Sequence, residues 1–210
     1  GSGAGKSVFL KHLNGLMLPD SGSIRIEGEE ITSLSERELL QRRKTMGVLF
    51  QDGALFDSMT VSDNVAFPLH EAGGLDAAEV AERVEAALEQ VELSGVDSKM
   101  PSALSGGMRK RIGLARAMIG EPTCLLCDEP TAGLDPLLSE TIARLIRETT
   151  ESRQITSVVV THDLMAMDLI ADHVIFLKDG RVRFEGSLDE ARASSDSDLS
   201  EFLAGRGGGG

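Results

Sequence analysis

With 210 residues, 41% of them hydrophobic and 26% charged, the chain is long enough to bury one sizeable core and too apolar to stay disordered. A formal net charge of −13 argues against a surface that holds DNA or RNA by neutralising many phosphates. No run reaches the roughly 18 apolar residues that a membrane span requires, so contact with a membrane is expected to pass through a partner.

GSGAGKS, at 1–7, supplies all but the first glycine of the pattern G-x-x-x-x-G-K-[ST]. SVFLKHLNGLM then spaces Val8, Leu10, Leu13 and Leu16 at mostly helical intervals, which predicts a helix ending near Pro19. A glycine-rich loop that feeds a helix start is the setting in which backbone N–H groups and the helix dipole hold a phosphate. Gly1, Ser2, Gly3, Ala4, Gly5 and Val8 are the expected backbone contacts, with Lys6 reaching the terminal phosphates and Ser7 binding Mg²⁺.

SGSIRIEGEEI alternates about Ile24 and Ile26 and predicts a short hairpin, and TMGVLFQD predicts a strand ending at Gln51. Between Asp76 and Leu93, Val80, Val84, Leu88 and Val91 recur at helical spacing opposite Glu79, Glu82, Glu85 and Glu89. Asp76 followed by Glu79 reads as the cap of that helix, and the acidic row as its solvated face. From Pro122 the order is strand, helix, strand: TCLLCD, LLSETIARLIRETTE and TSVVVTHD. Apolar strands alternating with helices predict an α/β fold with a mainly parallel sheet covered on both sides. HVIFLKDG and RVRFEG, joined at Asp179 and Gly180, predict a second hairpin, and the polar tail with its four final glycines reads as mobile beyond Leu203, the glycines as a linker.

Cys124 and Cys127 have C-x-x-C spacing, yet no second pair or histidine cluster completes a zinc site. They are expected to be small apolar side chains of a reduced core. Their strand ends in Asp128 and Glu129, two carboxylates at a carboxyl edge where open α/β sheets bind ligands. Asp128 suits holding a hydrated Mg²⁺, and Glu129 suits taking a proton from an attacking water. Ser105, Gly106 and Gly107 stand before a helical stretch, MRKRIGLARAM, whose start favours anions; Arg109, Lys110 and Arg111 in it read as a solvated basic face.

Taken together these motifs resemble the nucleotide-binding subunit of an ATP-binding-cassette (ABC) transporter. GSGAGKS is similar to Walker A, Gln51 to the Q-loop, LSGGM at 104–108 to the family signature, LLCDEP to Walker B, AGLD at 132–135 to the D-loop, and His162 to the switch histidine. The resemblance extends to about Gly186. It implies a P-loop (RecA-like) core at 1–53 and 116–190, a helical subdomain at about 54–115, all within one ATPase domain at 1–203, and a flexible tail at 204–210. It also implies that a β region of roughly 35 to 40 residues precedes Gly1 in the whole protein. That region carries the family's adenine-stacking aromatic, and this sequence has no Tyr or Trp.

Further implications are MgATP bound between two copies, with Ser105, Gly106 and Gly107 of one capping the γ-phosphate held by the other and Asp135 linking the two sites. Gln51 would sense Mg²⁺ and γ-phosphate, His162 would hold γ-phosphate and water, and Glu129 would be the base; Ser7, Gln51 and Asp128 form the metal set. Methionine at 108 replaces the family's usual glutamine and lacks its amide, which leaves Ser105 and the glycine backbone to act. LSGGM before RKRIGLARA, with VLFQDGALFDSMTVSDNVAFPL and SVVVTHDL, is similar to the ATPases of MCE/Mla-type phospholipid-trafficking systems. The implied partners are integral-membrane permease subunits, through them an MCE-type lipid-binding protein, and no nucleic acid; the implied location is the cytoplasmic side of the inner membrane. Residues 54–69, with Phe56, Met59, Val61 and Phe67, read either as a coupling surface or as core. Three alternatives remain at this stage: a non-lipid cargo, a cassette of DNA repair or translation, and a regulatory cassette that does not hydrolyse ATP.

Overall fold

The structure, a computed structural model, describes residues 5–205. Gly1, Ser2, Gly3 and Ala4 of the expected loop, and the glycine run at 207–210, lie outside the described residues.

Helix α1 (Lys6–Leu13) starts at the loop, with Gly5 as its N-cap. It stops at Leu13 instead of continuing toward Pro19. Asn14 turns its side-chain oxygen onto the Leu16 N–H at 3.1 Å, and Gly15 takes a φ of 68°. A side chain that bonds nearby backbone offers the chain an alternative to helix, and here it prevails, leaving Leu16 exposed. Strands β1 (Arg25–Ile26) and β2 (Glu29–Glu30) form the expected antiparallel hairpin. Helix α2 (Glu36–Arg43) opens with a capping box of Ser35 and Glu38, and Arg43 donates back to the carbonyls of Asn14 and Gly15.

The centre is a parallel sheet of β3 (Met46–Leu49), β4 (Cys124–Asp128) and β5 (Thr156–Val160), with β4 in the middle. Leu49 lies opposite Cys127, and Asp128 opposite Val160. Alternate residues of β4 serve two apolar layers. Leu125 and Cys127 join the larger core, while Cys124 and Leu126 pack with Leu10 of α1 and Val160. Both faces are therefore covered, as the near-continuous apolar run of β4 requires. Both thiols are free and buried, and burial raises the pKa of each.

Three helices connect β3 to β4: α3 (Val61–Ala72), α4 (Ala77–Gln90) and α5 (Gly106–Met118). Asp76 and Glu79 cap α4 reciprocally, and its valines and Leu88 are buried while the four glutamates face water, as the sequence predicts. After β4 come α6 (Pro136–Arg153), β5 and α7 (Leu164–Ile170). Val61, Val84, Ile112, Leu125, Ile142 and Ala166 belong to one contiguous core, so helices and sheet share it. The hairpin of β6 (Val174–Lys178) and β7 (Arg181–Gly186) turns at Asp179 and Gly180 with φ of 50° and 69°, the paired positive values of a two-residue hairpin turn. Helices α8 (Leu188–Arg192) and α9 (Ser197–Leu203) follow. The sequence pattern misses α9, whose Phe202 ring meets Phe176 and whose Asp198 pairs with Lys178. Backbone N–H groups of Ala204 and Gly205 still bond into its last turn.

Two glycines let α5 approach the sheet and the loop beyond it. A Cβ at Gly47 of β3 would stand 2.4 Å from the Ala117 carbonyl oxygen, and one at Gly53 would stand 2.6 Å from that of Arg109. Both obstacles are backbone, which no rotamer change can move. We expect Gly47→Ala to lower unfolding stability by at least about 2 kcal/mol, the scale of overpacking a core. Urea unfolding of the two proteins measures it.

Candidate nucleotide-binding site

The site assembles at the carboxyl edge of the parallel sheet from segments far apart in sequence. Gly5 has a φ of 92°, open to glycine, and ends the loop at the start of α1, where N–H groups lack intrahelical partners. Lys6 and Ser7 occupy the first turn of that helix. The Ser7 hydroxyl donates to Asp128 Oδ1 at 3.1 Å, and Lys6 Nζ lies 3.5 Å from Glu129 Oε1. Val8 is exposed at the same end of the helix.

Glu129 is the junction. Its side chain is only 13% exposed, and its backbone takes a φ of 46°, a value that a non-glycine residue holds when its surroundings impose it. The imposing contacts are visible: its N–H donates to the Val160 carbonyl at 2.8 Å, and its carbonyl accepts from Ala132 at 3.1 Å. The carboxylate meets His162 Nδ1 at 2.9 Å and accepts from the His162 backbone N–H at 3.3 Å. A carboxylate accepts only, so Nδ1 carries the proton in this pair and Nε2 is the nitrogen left for a phosphate oxygen.

Asp163, which the sequence pattern passes over, holds the histidine's segment. Its carboxylate caps α7 by accepting from Met165 and Ala166 and accepts a 2.8 Å bond from the Thr131 hydroxyl. An acidic residue immediately before an apolar helical run was the available signal. Thr131 is buried, and its carbonyl accepts from Ser139 of α6 at 3.4 Å. The segments carrying Glu129 and His162 are thus joined both directly and through Thr131.

Other expected residues make no side-chain hydrogen bond or ion pair with this cluster among the described residues. Gln51 is exposed in the turn after β3. Ser105 caps α5 by accepting from Met108 N–H, with Gly106 and Gly107 in that helix's first turn, and Asp135 caps α6 by accepting from Leu138 N–H. Among the described residues no side-chain hydrogen bond joins Ser105 or Asp135 to Glu129. Arg116 of α5 supports the loop after Gln51: it donates to the Gly53 carbonyl at 2.8 Å and lies over the Phe56 ring. The sequence reading of 54–69 divides, since Val61 is fully buried and Phe56 is exposed. The solvated basic face is corrected at Lys110, which is buried in the helix's inner stripe. Burial lowers the Lys110 pKa, while the charges of Asp52 and Glu129 act against that shift.

The donor set fits magnesium. Ser7 and Asp128 bring two hard oxygens to one point, and magnesium takes few protein oxygens while keeping water and substrate phosphates as its other ligands.

A helix-start phosphate loop beside an acid-tipped parallel strand defines a P-loop nucleotide-binding cassette. The chain belongs to the ABC transporter family, whose profile matches residues 1–132. It is 42% identical over 205 residues to the probable ribonucleotide transport ATP-binding protein mkl of Mycobacterium leprae, covering 98% of this chain and 59% of that protein. To the intermembrane phospholipid transport system ATP-binding protein MlaF of Haemophilus influenzae it is 41% identical over 208 residues, covering 99% of this chain and 79% of that one. The chain thus spans about three fifths of the first relative and four fifths of the second. A solved ATP-binding cassette, a dimer in a post-hydrolysis state with ADP and Pi, superposes with a TM-score of 0.82 at 33% identity over 90% of this chain and 82% of its own.

Lys6→Ala removes the one side chain of the helix start that can pair with a terminal phosphate while touching Glu129. Losing a charge-assisted bond of roughly 1.5–3 kcal/mol predicts a fall in ATP affinity of about 10- to 100-fold, read by equilibrium titration of the full-length protein.

Proposed function

We propose that the chain is the ATP-hydrolysing subunit of an ABC transporter that moves phospholipid or a related lipid. The observation that carries the catalytic part is the meeting of Lys6, Ser7, Asp128, Glu129 and His162 at one sheet edge. Gly1, Ser2, Gly3, Ala4, Gly5 and Val8 hold the phosphates through their backbone. Lys6 draws the terminal phosphate toward Glu129, and Ser7, Asp128 and Gln51 would hold magnesium. When bound, that ion neutralises charge on the phosphate oxygens.

Glu129 accepts a proton from the attacking water as the water oxygen bonds to the γ-phosphorus. The bond from that phosphorus to the bridging oxygen breaks, and ADP and phosphate leave. His162, fixed by Glu129 through Nδ1, presents Nε2 to a γ-phosphate oxygen. Pairing of two copies supplies what one chain keeps at a distance: Ser105, Gly106 and Gly107 of one copy close over the nucleotide of the other, and Asp135 links the two sites. The exposure of Ser105 and Asp135, the caps of α5 and α6, supports this arrangement.

The chain works as one domain at 1–203, with a P-loop core at 1–53 and 116–190 and a helical subdomain at about 54–115, and 204–210 as a tail. Exposed Phe50 and Phe56, the latter stacked under Arg116, form the surface that receives the membrane subunits. No described helix is long and apolar enough to cross a membrane. The similarity to MlaF supports attachment to a permease on the cytoplasmic side of the inner membrane. The similarity to MlaF supports a lipid cargo and an MCE-type lipid-binding protein in the complex. The similarity to mkl favours a second reading, a polar cargo such as a ribonucleotide. Purifying the full-length protein with its membrane subunits and identifying the bound molecules separates the two: co-purified phospholipid supports the first, and a nucleotide cargo without lipid supports the second.

For the reaction, Glu129→Gln is expected to bind ATP, accumulate as dimers on addition of MgATP and hydrolyse it roughly 10² to 10⁴ times more slowly. Wild-type turnover in that variant, measured as phosphate release, removes Glu129 from the role of base.

A further inference from the structure

Helix α5 carries a cation that the nucleotide chemistry above does not use. Lys110 is 3% exposed. Gly107, Lys110, Leu114 and Met118 line the buried stripe of α5, so helical spacing turns Lys110 inward although the run RKR suggests a solvated face. An ammonium taken out of water is costly unless it is paired and hydrogen-bonded, so its partners carry information. Its Nζ donates to the Ala132 carbonyl at 2.7 Å, a charge-assisted bond, and Asp52 and Glu129 supply the negative charge that offsets its burial.

Ala132 lies in the turn that leads from Glu129 to α6. That turn is short and tied at definite points: Ala132 N–H to the Glu129 carbonyl, Leu134 N–H to the Thr131 carbonyl at 3.2 Å, and the Thr131 hydroxyl to Asp163. The left-handed backbone of Glu129 is sparsely populated for a non-glycine residue, and such ties favour it. Lys110 adds one from outside, joining the helix that begins at Ser105 to the peptide three residues beyond Glu129.

We propose that Lys110 is a positioning residue: its ammonium, bonded to the Ala132 carbonyl and within electrostatic reach of Glu129, pins the turn at 130–135 to α5 and so keeps the Glu129 carboxylate aimed between Lys6 and His162. Movement of the helix that starts at Ser105 is thereby felt at Glu129 of the same chain. The catalytic readout rests on the ATPase reading above, whereas the pinning of the turn does not.

The test uses the full-length protein. Lys110→Met keeps most of the side chain's length and volume and removes the charge and the donor. We expect its kcat for ATP hydrolysis to fall at least tenfold, with ATP affinity within twofold of wild type. Amide exchange at 130–135 should quicken while that of β5 and α1 stays unchanged. Lys110→Gln, with a donor but no charge, should stand between the two. A kcat for K110M within twofold of wild type, an affinity that falls in step with kcat, or exchange that rises throughout the chain overturns the proposal. Should K110M fail to fold, K110Q decides: a loss confined to kcat with faster exchange at 130–135 supports the pin, and wild-type kcat with unchanged exchange overturns it. A wild-type protein that hydrolyses no ATP defeats the ATPase reading instead, and the exchange comparison alone then decides whether Lys110 holds the turn.

Discussion

The parallel register of β3, β4 and β5 is the constraint on which the site depends. Pairing Leu49 with Cys127 and Asp128 with Val160 makes the three strands run out at one edge, so Gln51, Glu129 and His162 emerge there together. α1 packs on the opposite face of β4 from the larger core, through Leu10, Cys124 and Leu126. That packing puts the first turn of α1 beside Asp128. A one-residue slip of β4 would exchange its two apolar faces and carry both carboxylates away from Lys6 and Ser7. The apolar residues of this strand therefore fix the geometry of the acids that follow them.

Electrostatics at that edge run against the character of the whole molecule. In a chain of net charge −13, half-buried Lys6 pairs with Glu129, and buried Lys110 bonds to the turn that follows it. A carboxylate so placed is held in one direction by its partners, and that preorganisation suits it to meet a reacting water. His162 is 62% exposed, so it can be reached by a phosphate while Glu129 stays sheltered behind it. The left-handed backbone at Glu129 is the local cost of that aim, and hydrogen bonds from Ala132 and to Val160 sustain it.

Much of this was legible in the sequence where a single element carries its own signal. The Asp76–Glu79 cap and the Asp179–Gly180 turn rest on contacts only a few residues apart, the strand–helix–strand order after Pro122 shows in the apolar pattern of each element, and each appears as expected. The same holds for the buried, free cysteines, whose apolar run before an acidic pair favours a buried strand over a redox or metal site. What was missed depends on competition or on distant contacts. The early end of α1 is won by an Asn14 side-chain bond against a helical pattern that would have continued. Helix α9, in a largely polar tail, forms where Leu199 is buried, Phe202 meets Phe176 and Asp198 pairs with Lys178. Lys110 was masked by its charged neighbours, although its place in the stripe with Gly107 and Leu114 was in view. The bond from Thr131 to Asp163 is a meeting of loops that no local pattern encodes.

The central claim is that a nucleotide's phosphates sit at this sheet edge, between Lys6 and His162 and against Glu129. A structure of the full-length protein bound to magnesium and a slowly hydrolysed ATP analogue tests it most directly. The account predicts the terminal phosphate within hydrogen-bonding distance of Lys6 Nζ and His162 Nε2, with the Glu129 carboxylate facing it and Ser105 of a second copy closing the far side. A nucleotide bound elsewhere, or held at this edge with Lys6 still paired to Glu129 and no second copy in contact, would contradict it.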